Sequence, residues 1–302
     1  MKKEVYLTSC ISLDFDLGIM PAFFDHYISI GVKPENFILV LNVFRENPEE
    51  KIQKAANIIK GFNVSPDQLI WNSEYESEAK WSLVHQRLNN RIPSDGSAWI
   101  IHPDADEFHR IDDVSKQVEI LEANSCSAMQ GILIDRTTLD GSIPEKNEFE
   151  RYSALDRKFP NQLYLANLIG IAGVKLMMYR SDFRANNGSG QIHPSMAARV
   201  VYPYGNKSLH ELKEFKEVTS RLVSKNESRT PILVSQANLE ELISGTGCGI
   251  VDHYKWHGTV IDKLQQRVRT YTRLQRPQVV QSIKFLKLYK QNGSIEFLMS
   301  GK

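Results

Sequence analysis

The first hundred residues alternate four short apolar runs with three longer amphipathic ones, and few architectures accept that order. "EVYLTSCIS" (4–12), "NFILVLNVF" (36–44), "QLIWNS" (68–73) and "SAWIIH" (97–102) read as strands. The second is almost continuously apolar, as a strand buried on both faces must be. Between them lie "GIMPAFFDHYISIGV" (18–32), "NPEEKIQKAANIIKGF" (47–62) and "SEAKWSLVHQRLNNR" (77–91). The first places Ile19, Phe23, Tyr27 and Ile30 at helical spacing, with Gly31 as a stop. The second offers Asn47 as N-cap, Pro48 at the first position, acids in the first turn and Gly61 at the end. The third sets Trp81, Val84 and Leu88 on one face. Strand and helix in alternation predict an α/β fold with parallel strands at its centre.

The second half is less regular. "AMQGILIDRTTL" (128–139), "VKLMMYR" (174–180), "AARVVYPY" (197–204) and "GIVDHYKW" (249–256) read as strands. "RANNGSGQIHP" (184–194) is a Gly/Asn-rich loop, and residues 206–245 are polar and mixed. "GTVIDKLQQRVRTYTRL" (258–274) is an amphipathic helix, and "VVQSIKFLKLYKQNG" (279–293) is a closing basic helix.

Composition removes several classes. The formal charge is +1, from 37 Lys and Arg against 36 Asp and Glu, so no general nucleic-acid affinity is expected. Cys10, Cys126 and Cys248 are widely spaced, without a CxxC, which argues against a disulfide framework or a structural zinc. No apolar run approaches the ~20 residues a membrane span needs. Glu4, Asp14 and Asp16 interrupt any signal-peptide core, so the expectation is a soluble, cytoplasmic protein. The absence of GxxxxGK[ST] sets aside a P-loop NTPase.

The chemistry concentrates in "WIIHPDADEFHR" (99–110), where Asp104, Asp106 and Glu107 follow the fourth strand. In open α/β sheets, ligands sit outside the carboxyl ends of strands. In an extended segment, residues two apart point the same way, so Asp104 and Asp106 converge while Ala105 turns away. Two hard oxygen donors there suit Mg²⁺ or Mn²⁺, with substrate phosphates completing the shell. The plainer alternative is that one of them caps the "EFHRIDDV" turn. Glu107 is either an acceptor behind the metal ligands or a surface partner of Arg110 at i,i+3.

An α/β half that ends in "DADEF" resembles the GT-A glycosyltransferases, and within them the bacterial family-2-like group related to family 92. The likeness continues in order through "GILIDRTTLDG" (131–141), "KFP" (158–160), "GVKLMMYR" (173–180), "GSGQIHP" (188–194) and "VDHYKWHGTVIDKLQQRV" (251–268). It covers roughly residues 4 to 275 and implies a GT-A mixed sheet flanked by helices. It implies one catalytic domain over 1–275, with a nucleotide-sugar half at 1–110 and an acceptor half at 111–275, and residues 276–302 as the added basic helix.

The resemblance implies that Asp104 and Asp106 hold Mn²⁺ or Mg²⁺ against the donor diphosphate, with His253 approaching the same metal. Lys255, two residues on, is expected to neutralise a diphosphate oxygen as a point charge. A half-buried structural histidine is the alternative for His253. Tyr254 and Trp256 alternate with these residues and are expected to face the core. Thr8, Ser9 and Cys10 stand where such enzymes hold the nucleotide base, or else form a polar strand end. Family-2 enzymes often carry an acid after the second strand. Here "NVFREN" stands instead, so Arg45 or Asn42 takes that place, and the donor is left as UDP- or GDP-linked.

An inverting transfer needs a carboxylate to take the acceptor's proton. Asp135, in "LIDR", is the first choice, against a structural turn pair with Arg136. Asp140, in "LDGS", is the second, against a turn role. His193 in the Gly-rich loop is a contact for acceptor, phosphate or metal, or a solvent-facing histidine. The reaction expected is transfer of a sugar to a saccharide, glycoconjugate or lipid-linked acceptor in surface polysaccharide assembly. Nucleotidyl transfer and non-catalytic carbohydrate binding are the alternatives. The closing "KFLKLYK" is a peripheral membrane contact or, more simply, a solvated basic face.

Overall fold

The computed structural model describes residues 3–65, 67–124, 126–144, 148–164, 174–182, 232–233, 249–274 and 279–292. The loop at 184–194 with His193, the strand expected at 197–204 and nearly all of 206–245 lie outside the described residues. Ten strands form one sheet: β1 Glu4–Ser12, β2 Phe37–Asn42, β3 Leu69–Trp71, β4 Ala98–Ile101, β5 Glu107–His109, β6 Ala128–Thr137, β7 Asn161–Tyr164, β8 Val174–Arg180, β9 Ile232–Leu233 and β10 Gly249–His253. Among the described residues the α-helices are α1 Met20–Ser29, α2 Pro48–Gly61, α3 Ser77–Arg91, α4 Val114–Ala123, α5 Tyr152–Lys158, α6 Val260–Arg273 and α7 Val279–Asn292.

The strand order is β3-β2-β1-β4-β8-β6-β10-β5, with β7 paired to the last residues of β6, and β9 to β7. The first four strands run parallel, as their alternation with helices requires. β8 then enters antiparallel to both β4 and β6, β10 runs parallel to β6, and β5 returns antiparallel to β10. So β1, β4, β6 and β10 point the same way and end on one edge, where β8 begins. That edge includes the switch point, because the chain leaves β1 toward β2 on one side and reaches β4 on the other.

Alternation along the strands sorts the core into two layers. Leu7 and Ile11 of β1, Leu39 and Leu41 of β2, and Trp99 and Ile101 of β4 join Phe23, Phe24 and Tyr27 of α1, Ala55 and Ile59 of α2, and Val118 and Leu121 of α4. Cys10, Ile38, Val40, Ala98 and Ile100 join Val84 and Leu88 of α3 on the other face. β2 is buried along its whole length, which accounts for its unbroken apolar run.

Gly131 and Gly249 are register partners on β6 and β10. The Sδ of fully buried Met177 lies where a Cβ on either would have to go. Two glycines side by side therefore make the slot that this methionine fills.

Three local expectations change. Asn47 does precede Pro48 at the start of α2, but it adopts a left-handed conformation (φ 57°) and its side chain makes no capping bond. The "EFHRIDDV" segment is not simply a turn. It forms β5, and then Asp113 caps α4 by accepting from the backbone N–H groups of Ser115 (2.8 Å) and Lys116 (3.1 Å). β5 spans three residues, too few to show alternation. β10 stops at His253, so Lys255 sits in a turn and not on the strand face shared with His253. α7 forms as expected and lays Phe285 against Trp256, with ring centres 4.6 Å apart. No helix among the described residues is long and apolar enough to cross a membrane.

Candidate active site at the carboxyl edge of the sheet

The acids and histidines of the site sit at or beyond the ends of strands that finish on that edge. Asp16 follows β1, Asp104 and Asp106 follow β4, Asp135 lies near the end of β6, and His253 and His257 close β10. Lys175 is the second residue of β8, which begins there.

Asp104 and Asp106 do not share a face. Residues 104–107 form a turn, with the Glu107 N–H donating to the Asp104 carbonyl at 3.0 Å. A turn breaks the two-residue alternation on which convergence depended. The two carboxylates consequently enter different surroundings.

Asp104 is caught between two lysines. Lys80 Nζ, from α3, donates to Oδ1 at 2.7 Å, and Lys175 Nζ donates to Oδ2 at 3.1 Å. Burial opposes its ionisation, but Lys175 and Lys80 outweigh that and hold the carboxyl well below its usual range. Glu107 completes the cage. It is buried, pairs with Lys175 at 2.5 Å and accepts from the Asp104 N–H at 3.0 Å. Burial pushes its carboxyl up, and Lys175 offsets that only in part. Arg110 does not meet Glu107. It reaches Asp252 with two bonds of 2.7 Å, because the strand carries their side chains to opposite faces.

Asp106 joins a second group. Its carboxylate, the Asp16 carboxylate and a ring nitrogen of His257 lie within 4.8 Å of one another, and all three residues are buried. Lys263 Nζ, from α6, bridges the acids, 3.0 Å from Asp16 Oδ1 and 3.1 Å from Asp106 Oδ2. Burial again disfavours charge on Asp106, and Lys263 and then His253 more than offset it, lowering its pKa.

The two imidazoles are oriented from behind. The Thr259 hydroxyl donates to the Phe15 carbonyl at 2.8 Å, so it can only accept from His257 Nδ1 at 3.0 Å. In the neutral ring this puts the proton on Nδ1 and the lone pair on Nε2. That Nε2 is buried without a hydrogen-bond partner, 3.6 Å from Asp16 Oδ1. His253 Nδ1 donates to Asp135 Oδ1 at 2.9 Å, and its Nε2 lies 3.8 Å from Asp106 Oδ2. Burial disfavours the imidazolium, but Asp135 outweighs it and raises the His253 pKa.

Two carboxylates, an orphaned imidazole nitrogen and a second imidazole nearby form a mixed oxygen and nitrogen donor set. It fits a divalent ion of the Mn²⁺ type, and the Nδ1 anchors are what metal-binding histidines ordinarily have.

The other residues singled out in the sequence have definite places. Asp135 is buried, and its Oδ1 also accepts from Trp256 Nε1 at 3.1 Å. Its neighbour Arg136 turns away to Asp252 (3.0 Å) and Asp156 (2.7 Å), so no Asp135–Arg136 turn pair forms. Asp140 is exposed and holds a turn, accepting from the Ser142 hydroxyl at 2.7 Å and N–H at 3.0 Å, which pulls it down to about 2. Thr8 and Ser9 are fully buried, and their hydroxyls donate to Ile38 O (3.0 Å) and Pro103 O (2.9 Å). Burial pushes the Cys10 thiol up to about 12. These three are packed inside the sheet, where alternation puts every residue of a central strand against one core layer or the other. Asn42 is likewise buried and donates to Trp71 O (3.1 Å) and Ser73 O (2.8 Å).

Arg45 lies over the Phe15 ring at 4.5 Å and 3.9 Å from Asp262. Lys255 lies over Trp256 at 5.2 Å, and burial, with Arg267 nearby, pulls it down to about 8. Tyr254 and Trp256 are fully buried, as expected, although they lie beyond the end of β10.

Asp16, His257, Lys263, Lys80 and Lys175 were not foreseen as site residues. Two of them had a signal: Asp16 stands four residues past a strand end, and His257 four residues beyond His253. The lysines carry no signal until packing brings them opposite the acids.

No family model matches the chain, and no curated protein matches it. Among solved structures it is similar to S. aureus TarS at 9% identity and TM-score 0.30, over 59% of this chain and 28% of that one. It is also similar to the apo WbbM bifunctional glycosyltransferase at 9% identity and TM-score 0.32, over 88% of this chain and 50% of that one. The chain thus spans at most half the length of either, and at such scores neither likeness bears on function.

Proposed function

We propose that the chain is a GT-A glycosyltransferase that moves a sugar from a nucleoside-diphosphate donor to a saccharide or glycoconjugate acceptor with the help of a divalent cation. The observation that carries this reading is the buried Asp16, Asp106 and His257 group beside the β1/β4 switch point. Asp106, Asp16 and His257 are the residues that would hold the cation, with His253 backing Asp106. When bound, the cation would offset negative charge on the diphosphate as the sugar departs.

The chain's own residues supply the rest. Lys255 and Arg267 add positive charge beside the acids, suited to a diphosphate. Asp104 is half-exposed at the mouth of its lysine cage and would meet the donor's hydroxyl groups. Asp135 orients His253, which we assign to it in place of proton removal from the acceptor. An inverting course and a role in surface polysaccharide assembly rest on the family resemblance of the sequence alone.

Calorimetric titration with UDP and GDP, each with and without Mn²⁺, tests the proposal. Binding of one nucleotide that requires Mn²⁺ and is lost in Asp106→Asn is the expected result. If neither binds, or if binding ignores both metal and variant, the reading is wrong.

A further inference from the structure

We propose that Lys263 is a built-in stand-in for the cation, so that metal entry must displace its ammonium group, which then becomes available to the diphosphate. The inference rests on the metal-dependent reading above and assigns a role to a residue that this reading does not require.

The geometry is specific. Lys263 Nζ sits between the two acids, 3.0 Å from Asp16 and 3.1 Å from Asp106. A divalent ion bound by the same oxygens would need that space. Two cations sharing one pair of carboxylates would repel strongly, because the site is buried and poorly screened. One must leave, and a lysine on a flexible four-carbon stem can do so.

The ammonium is also an incomplete substitute. It satisfies both acids yet leaves His257 Nε2 without a hydrogen-bond partner, although Thr259 has already turned that lone pair inward. An ammonium group has no acceptor and donates only where its hydrogens point, whereas a metal ion takes oxygen and imidazole nitrogen together. The residues are arranged for an occupant that Lys263 only partly imitates.

Displacement has a direction. Arg267 lies one turn further along α6 from Lys263, near enough to Lys255 to disfavour charge on that lysine. A released Lys263 would add a third positive charge to this wall. Metal and diphosphate should then bind with positive coupling: the first frees the ammonium and the second uses it.

The test is Mn²⁺ binding without nucleotide, read as loss of the free-ion electron paramagnetic resonance signal, for wild type, Lys263→Met and Lys263→Arg. Lys263→Met should bind Mn²⁺ roughly tenfold or more tightly than wild type, and show less coupling to UDP or GDP. Lys263→Arg, permanently charged and less able to withdraw, should bind Mn²⁺ more weakly than wild type. Equal or weaker binding by Lys263→Met, with its circular dichroism and Tm preserved, overturns the stand-in role and leaves the metal site intact. If Lys263→Met does not fold, unchanged Mn²⁺ affinity in Lys263→Arg overturns it. Absence of Mn²⁺ binding in all three proteins overturns the metal-site reading and this proposal together.

Discussion

His253 Nδ1 and Asp135 Oδ1 meet at 2.9 Å across a register pair of β10 and β6. The sheet itself sets this contact, because paired residues on adjacent strands present their side chains to the same face. It fixes which nitrogen of His253 carries the proton and turns Nε2 toward Asp106.

Removing that anchor should weaken the site without removing a ligand. Asp135→Asn is expected to lower Mn²⁺ affinity by roughly 10- to 100-fold, the usual cost of losing an outer partner of a metal-site histidine. It should also lower the pH at which the imidazole titrates, since Asp135 is the main reason the pKa is raised. The gain from protonating His253 in the folded state is complete below the unfolded pKa and fades as pH rises past the folded one. Imidazole proton NMR across a pH series reads the titration directly, and an unshifted midpoint would refute the coupling.

The two acids of "DAD" should fail in different ways. Asp106→Asn should abolish detectable Mn²⁺ binding while the protein stays folded. Asp104→Asn leaves Lys80 and Lys175 facing each other without their shared counter-charge. For a buried pair that costs about 3–5 kcal/mol, and the half-exposed Asp104 side chain should bring the loss down to about 1–3 kcal/mol. Urea unfolding and Mn²⁺ titration of both variants separate the roles. Equal loss of metal affinity in both would show that the turn at 104–107 does not divide them.

Gly249→Ala should be costly because of the flexible end of Met129 and, above all, Met177. The new Cβ would collide with its sulfur, an overpacking that typically costs about 1–3 kcal/mol. Met177→Ala by itself opens a cavity and also destabilises. Combined, the two should cost less than the sum of the single changes, because the truncation removes the clash. Additive losses in a double-mutant cycle of urea unfolding would contradict this slot.

Acid should destabilise the aromatic cluster under α1. His26 is buried, and its Nε2 donates to the His109 carbonyl at 2.9 Å. Burial lowers its pKa to about 4. The unfolded state therefore binds the proton first as pH falls. Stability contributed by neutral His26 is complete above about 6.5 and lost between there and about 4, to a total of about 3 kcal/mol. His26→Gln keeps a donor for His109 and removes the titration. Its loss of stability from pH 6.5 to 4, followed by urea unfolding, should be smaller than that of wild type.

Much of this molecule is legible in one dimension. The parallel order of β1 to β4 follows from strands separated by helices with one apolar face each. Val118 and Leu121 in α4 carried the same kind of signal, although the acidic stretch before them obscured it. Tyr254 and Trp256 are in the core as expected, although β10 has already ended at His253 and alternation no longer applies to them. The acids after β4 were conspicuous because a proline ended an apolar strand just ahead of them.

Local pattern could not decide which way those acids point. Alternation holds only while the backbone is extended, and a hydrogen bond from Glu107 to Asp104 ends that one residue too soon. Nor could it supply the partners. Asp16 comes from the start of the chain and His257 and Lys263 from near its other end, and they meet because β1, β4 and β10 end on one edge. The sequence by itself determined β1 to β4, the helices between them and the edge on which chemistry would collect. Tertiary structure decided which charges are neutralised by lysine and which imidazole nitrogen is left free, because both depend on burial and on contacts between residues far apart in the chain.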